Sequence, residues 1–101
     1  MTNVSLISNE EEKIKIFYET CFDFNLLVSK VHPSLEEKYF DTYFENCDYL
    51  FLDENISNDD KILSMFLNEV KTKIFTKKIT FCFSFSERPD YVNTFHKMIK
   101  K

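Results

Sequence analysis

The pattern of apolar and polar residues predicts four helices. Apolar residues recur every three or four positions up to Val31, so the first helix is expected to begin after Ser8 and to end at Val31. The same spacing over residues 34–46 predicts a second helix, and over residues 59–75 a third. A fourth, short helix is expected to begin at Pro89, because proline suits the first turn of a helix.

Three serines stand where a helix cap is expected, because each is followed three positions later by an acidic residue. The pairs are Ser8 with Glu11, Ser34 with Glu37, and Ser57 with Asp60. Each pair therefore supports the start of one of the first three predicted helices.

Strict alternation of apolar with small or polar residues over 79–86 predicts a strand. Residues 49–53 predict a short buried strand, with continued helix as the alternative, and residues 3–7 predict a weak one. A single strand would leave its backbone groups unpaired, so 79–86 is expected to pair with 49–53 in parallel, across the helix at 59–75. The predicted fold is α+β, one domain over residues 1–101, with four helices over a small two- or three-stranded sheet in the order β(weak)-α-α-β-α-β-α.

The amino-acid composition excludes one class of binding motif and adds one structural expectation. The chain has no glycine, so asparagine must serve wherever a turn needs a positive φ. The same absence excludes the glycine-dependent phosphate loops of nucleotide-binding proteins. Plentiful Ile, Lys, Asn and Phe, beside no Ala and a single Arg, indicate an AT-rich coding genome, as in low-GC bacteria, phages or other viruses.

The net charge of −4 hides a strong division between the two halves of the chain. Residues 1–60 hold fourteen acids and four lysines, a balance of −10, whereas residues 61–101 hold three acids and nine bases, a balance of +6. Residues 34–60 are the extreme, with nine carboxylates, six aromatic residues and one cation, Lys38. Charge asymmetry of this kind points to a partner or to contact between the two halves.

Candidate catalytic and metal-binding patterns are weak. Three cysteines fall in apolar patterns and are expected to be reduced core thiols: Cys21, Cys47 and Cys82. Oxygen-bearing residues at Asp53, Asn55 and Ser57 resemble the start of a calcium loop, but Ser64 stands where the bidentate glutamate should be. The carboxylates Glu37 and Asp41 share a predicted helix face, an arrangement that is ordinary on solvated helices. We expect no enzyme activity, no metal and no cofactor.

Direct nucleic-acid binding is not expected either. The basic residues of the second half are almost all lysines, and one arginine is a poor endowment for reading phosphate or guanine. The acidic half would repel a polyanion. No signal sequence and no apolar run of membrane-spanning length occur, so a soluble cytoplasmic protein is expected.

The acidic, aromatic stretch has two interpretations. In the first, the predicted helix at 34–46 simply keeps its carboxylates in water. In the second, those carboxylates and two exposed tyrosines form a face that docks on a basic partner protein. The residues expected to bind the partner are Glu36, Glu37, Tyr39, Asp41, Tyr43 and Glu45.

The predicted order of elements, with an acidic second helix, resembles that of barstar-like nuclease inhibitors, although no sequence motif is shared. The resemblance implies an immunity protein or antitoxin that neutralises a nuclease-type toxin. One alternative is a phage or viral accessory protein that blocks a host nucleic-acid-binding factor. Another is a structural or assembly subunit that uses its aromatic residues to associate; the sequence leaves the oligomeric state open.

Overall fold

The computed structural model describes residues 2–57, 59–76 and 81–85, where strands and helices alternate. The main elements are β1 (Asn3–Ile7), α1 (Glu11–Asp23), β2 (Leu27–His32), β3 (Tyr49–Asp53), α2 (Asp60–Phe75) and β4 (Phe81–Phe85). Single turns of 3₁₀ helix occur between β2 and β3, at Glu37–Tyr39 and Thr42–Phe44, and after β3, at Glu54–Ile56.

The four strands of this part of the chain form one sheet in the order β2-β1-β3-β4, and every neighbouring pair is parallel. The two central strands are apolar, as expected of parallel strands covered on both faces. Their fully buried apolar residues are Val4, Leu6, Ile7, Leu50, Phe51 and Leu52. The predicted parallel pairing of 49–53 with the later strand is confirmed: Tyr49 pairs with Phe81, and Asp53 with Phe85.

Two apolar clusters flank the sheet, because successive residues of a strand point to opposite faces. On one face, Phe17 and Cys21 of α1 pack against Leu6 and Phe51. The cluster on the other face joins α2 to β1, β3 and the segment between β2 and β3, and comprises Ile7, Leu35, Tyr43, Phe44, Cys47, Leu50, Leu52, Phe66 and Val70. The segment at 34–46 and helix α1 therefore cover opposite faces of the sheet.

The prediction of one helix continuing to Val31 is wrong. Helix α1 ends at Asp23, and Asn25 reverses the chain with a φ of 60°. The backbone N–H of Leu26 closes the turn on the carbonyl of Cys21 at 2.8 Å. Leu27–His32 then pairs with β1 as an edge strand, so backbone bonding across the sheet overrides the helical spacing.

The second predicted helix, at 34–46, does not form. The structure has two separate 3₁₀ turns there, and Asn46, with a φ of 54°, turns the chain towards β3. Aromatic residues are modest helix formers, and a helix this short gains little by itself. The side chains of Phe40, Tyr43 and Phe44 instead gather around Phe66 of α2, with ring centroids 5.4–5.7 Å from its ring.

The fold is α+β overall, as predicted, but not with four helices in the predicted order. The part of the chain described here has two α-helices and a parallel sheet in which β2 is an unpredicted strand. The strands at 3–7 and 49–53 and the helix at 59–75 are confirmed almost to the residue. Phe81–Phe85 lies within the strand predicted at 79–86, and the predicted fourth helix lies outside the described residues.

None of the three predicted serine caps forms. Helix α1 has Glu10 as its N-cap, without a side-chain bond, and the Ser34 hydroxyl bonds to Glu36 instead of capping a helix. For α2 the cap is Asp59, whose carboxylate accepts from the backbone N–H groups of residues 61 and 62, while Ser57 accepts from the N–H of Asp59. The asparagine expectation is confirmed, because Asn25 and Asn46 are the residues of positive φ in the described chain.

Candidate functional site

The carboxyl ends of β1, β2 and β3 meet at one edge of the sheet, because the three strands are parallel. Ser8 follows β1, His32 ends β2 and Asp53 ends β3. In open sheets of parallel strands, ligands bind beyond this edge, where neighbouring connections leave in opposite directions. Two features lie here: a buried charged cluster and an open groove.

The buried cluster joins the end of β3 to the first turn of α1. The ammonium of Lys13 lies 2.8 Å from Asp53 Oδ1 and 3.3 Å from a carboxylate oxygen of Glu10, and the hydroxyl of Ser8 donates to Asp53 Oδ2 at 3.0 Å. Lys13 and Asp53 are both about 1% exposed. Burial alone would lower the pKa of Lys13, but the bonds and charges of Asp53 and Glu10 outweigh it and raise that pKa. Each charge is therefore compensated inside the protein.

Sequence reasoning missed Lys13, although a signal was present. Residues 13, 17 and 21 follow one another at four-residue spacing on the buried side of α1, so a lysine at the first of these positions needs an acidic partner. Asp53, the first residue of the calcium-like pattern, belongs to this buried cluster. Asp53 turns to Lys13 and Ser8 and accepts from the backbone N–H of Asn55 at 3.0 Å.

The groove lies between the end of β2 and the segment at 34–46, which we call the acidic loop. Its volume is about 400 Å³, and it is lined by Lys30, His32, Pro33, Ser34, Glu36, Tyr39, Thr42 and Tyr43. His32 is buried, and its ring meets the ring of Tyr43 edge-on at 4.8 Å. Burial, with a smaller effect of the nearby Lys30 charge, lowers the pKa of His32 to about 4, so this imidazole is neutral at pH 7.

Tyr43 holds the acidic loop in place from beneath. Its hydroxyl donates to the backbone carbonyl of Ser34 at 2.7 Å and accepts from the backbone N–H of Glu36 at 2.8 Å. The side chain is about 1% exposed. The prediction that Tyr43 is exposed is therefore wrong, and this residue presents no surface to a partner.

The other five predicted site residues are exposed, although on a loop and not on a helix. Glu37, Asp41 and Glu45 point into solvent, and the 91%-exposed side chain of Asp41 has Lys73 of α2 3.8 Å away. Tyr39 is 42% exposed and lines the groove together with Glu36. The carboxylates of Glu36 and Glu37 and the ring of Tyr39 thus lie close together in the chain beside the groove. Asp41 and Glu45 follow on the same loop.

Thiol chemistry is not favoured at the cysteines whose side chains are described. Cys21 and Cys47 are free and buried, as predicted for core thiols. Burial raises the pKa of Cys21 to about 12 and that of Cys47 to about 11, so both stay protonated at pH 7 and are poor nucleophiles. In the described ranges, no three His, Cys, Asp or Glu side chains lie close enough to hold a metal ion.

No protein-family model, no curated protein and no solved structure matches this chain. The resemblance to barstar-like inhibitors rested on a predicted acidic helix and on an order of elements that the structure does not have. Within the part of the chain that is described, neither helix is long and apolar enough to cross a membrane.

Proposed function

We propose that this protein is a non-enzymatic inhibitor that binds a basic partner protein through the acidic loop, as an immunity protein or antitoxin binds its toxin. The observation that carries the proposal is the exposure of four carboxylates around Tyr39, on one loop beside a groove. Complementary charge speeds association and selects the partner, and an aromatic side chain supplies affinity near the centre of an interface.

The anchoring of the acidic loop supports a role in binding. Tyr43 ties the backbone at Ser34 to that at Glu36, and Phe40 and Phe44 pack on Phe66 of α2. A loop that is already ordered loses less conformational entropy when a partner binds. The exposed carboxylates are therefore presented from a fixed base, which favours recognition over simple solvation.

A nuclease-type toxin is the partner class that fits this surface. A nuclease needs a cationic cleft for the phosphate backbone of its substrate, and an acidic loop can occupy the same cleft. The buried, unpaired thiols of Cys21 and Cys47 are compatible with the reducing cytoplasm, where such an inhibitor would act.

Charge reversal in the acidic loop tests the proposal. The variant changes Glu37, Asp41 and Glu45 to lysine, and the matched control changes Glu12, Glu19 and Asp23, which are exposed on α1 at the opposite face of the sheet. The partner is captured from source cells with the unaltered protein, and its affinity for all three proteins is measured across a range of salt concentrations. We expect the loop variant to bind at least about tenfold more weakly and with less salt dependence.

An unchanged affinity and salt dependence in the loop variant would contradict the proposal. Equal losses of affinity in the loop variant and in the α1 control would show that only net charge matters, and would also contradict it. Neutralisation is read separately, as loss of the partner's nuclease activity when the protein is added. If the partner is a host nucleic-acid-binding factor that DNA displaces from the protein, the binding surface stands but the immunity role fails.

A further inference from the structure

Lys38 lies against two exposed side chains of the acidic loop, Glu36 and Tyr39. The ammonium of Lys38 is 3.8 Å from a carboxylate oxygen of Glu36 and 5.1 Å from the centre of the Tyr39 ring. A carboxylate and an aromatic ring together attract a cation through charge and through the negative face of the ring. The protein therefore shows, with its own lysine, where a positively charged group is stabilised on this surface.

Lys38 holds this position weakly. Its side chain is 67% exposed, and its distance to Glu36 is at the long end for an ion pair. Exposed pairs of this kind contribute little to stability, because water and salt screen the charges. A cation from another molecule can therefore take the place of Lys38 at small cost.

The groove extends the site beyond the point where Lys38 lies. Glu36 and Tyr39 both line it, and the backbone N–H of Glu36 is fixed by the hydroxyl of Tyr43. Of the charged residues in the lining, Lys30 repels a cation and Glu36 attracts one, so a positive group is favoured beside Glu36 and Tyr39. The volume of about 400 Å³ leaves room for the apolar stem of a long side chain.

We propose that Glu36 and Tyr39 form a binding site for an arginine side chain of the basic partner, which displaces Lys38 when it binds. The inference rests on the proposed function and adds the chemistry that the site recognises. Arginine fits better than lysine, because its planar guanidinium stacks on an aromatic ring while it bonds a carboxylate through two N–H groups. Lys38 is then an internal competitor that lowers affinity for weakly basic surfaces.

The site can be tested before the partner is known. The probes are capped tripeptides with a central arginine, lysine or citrulline, the last being an uncharged analogue of arginine, and binding is followed by amide chemical shifts in ¹⁵N-labelled protein. We expect saturable shifts centred on residues 36–42 with arginine, weaker binding with lysine and none with citrulline. Shifts of equal size with citrulline, or shifts spread over all exposed carboxylates, would overturn the proposal.

Removal of the internal competitor gives the sharper measurement. Lys38→Met should raise affinity for the arginine peptide by up to about fivefold, as the loss of an exposed ion pair allows. Lys15→Met is the matched control, because Lys15 is exposed on α1 at the other face of the sheet and the change in net charge is identical. Tyr39→Ala and Glu36→Gln should each weaken binding several-fold without unfolding the protein.

Equal gains in Lys38→Met and Lys15→Met would show that only net charge matters and would overturn the displacement of Lys38. That outcome leaves the proposed function standing if the charge-reversed acidic loop still loses the partner. Conversely, selective arginine binding at Glu36 and Tyr39 with an unaffected partner complex would sustain the site and refute the proposed function. The two proposals therefore fail on different measurements.

Discussion

Two sets of charged side chains, the buried cluster around Lys13 and the exposed carboxylates of the acidic loop, differ in how their charges are compensated. Lys13 and Asp53 are buried and in contact at 2.8 Å, with Ser8 as a further donor. On the acidic loop, the contacts of Lys38 with Glu36 and of Lys73 with Asp41 are 3.8 Å long and involve exposed carboxylates.

The difference separates a structural role from a binding role. A buried ion pair satisfies its members inside the protein, so neither member can bind anything else without exposing an uncompensated charge. Exposed carboxylates with long, weak contacts can exchange those contacts for a partner's cations. The Lys13 cluster therefore holds α1 to β3, and the acidic loop is the surface available for recognition.

The largest effect is expected from breaking the buried pair. Lys13→Met leaves the carboxylate of Asp53 buried without a cation and should lower the free energy of unfolding by about 3–5 kcal/mol in a urea titration. Adding Asp53→Asn should recover much of that loss, because the amide keeps bonds to Ser8 and to the N–H of Asn55. A loss below about 1 kcal/mol in the single variant would show that the pair does not hold the fold.

An intermediate effect is expected from His32, the buried residue that ends β2 and lines the groove. Its pKa is about 4 in the folded protein and about 6.5 when unfolded, so the unfolded chain binds more protons between these values. Stability from this residue is complete above pH 6.5 and is lost as the pH falls towards 4. Between pH 7 and pH 5 the loss should be about 2 kcal/mol.

The pH dependence of His32 is measured by urea unfolding at both pH values, with His32→Leu as the comparison. The leucine variant keeps all the acidic residues, so carboxylate titration contributes equally to both proteins. If the two proteins lose the same free energy between pH 7 and pH 5, the neutral, buried state of His32 is refuted.

The smallest effect on stability is expected in the acidic loop. A variant with Glu37→Gln, Asp41→Asn and Glu45→Gln should change the free energy of unfolding by no more than about 0.5 kcal/mol per residue, since all three side chains are exposed. The same variant should bind the partner more weakly. If it unfolds as easily as Lys13→Met, the distinction between the two sets of charges does not hold.

Elements with an unambiguous pattern were predictable from the sequence. Helix α2 combines apolar residues at helical spacing with an asparagine- and aspartate-rich start and lysines near its end. The short apolar run of β3 predicts a strand with continued helix as the alternative, and the structure has the strand. The exposure of Glu36, Glu37, Asp41 and Glu45 was also correctly predicted, because unpaired carboxylates are rarely buried.

Errors arose where one sequence supports two local structures. Leu27–His32 continues the helical spacing of α1 and shows no regular alternation of apolar and polar residues, so only its pairing with β1 makes it a strand. At Tyr43, an aromatic residue among carboxylates suggests an exposed anchor. The Tyr43 hydroxyl is buried instead, because the backbone carbonyl of Ser34 and the backbone N–H of Glu36 both form hydrogen bonds with it.

The sequence by itself determined the distribution of charge, the need for asparagine at turns of positive φ, and the position of the strongest helix. It also indicated β1, as a weak strand, and β3, with continued helix as the alternative. These depend on side-chain type and local spacing, which the chain carries in order. Only the tertiary structure decided that β2 is a strand, that the acidic loop is not a helix, and that Lys13 meets Asp53. Each of these depends on contacts between residues far apart in the chain, whose free energy exceeds the small local preferences that a sequence pattern records.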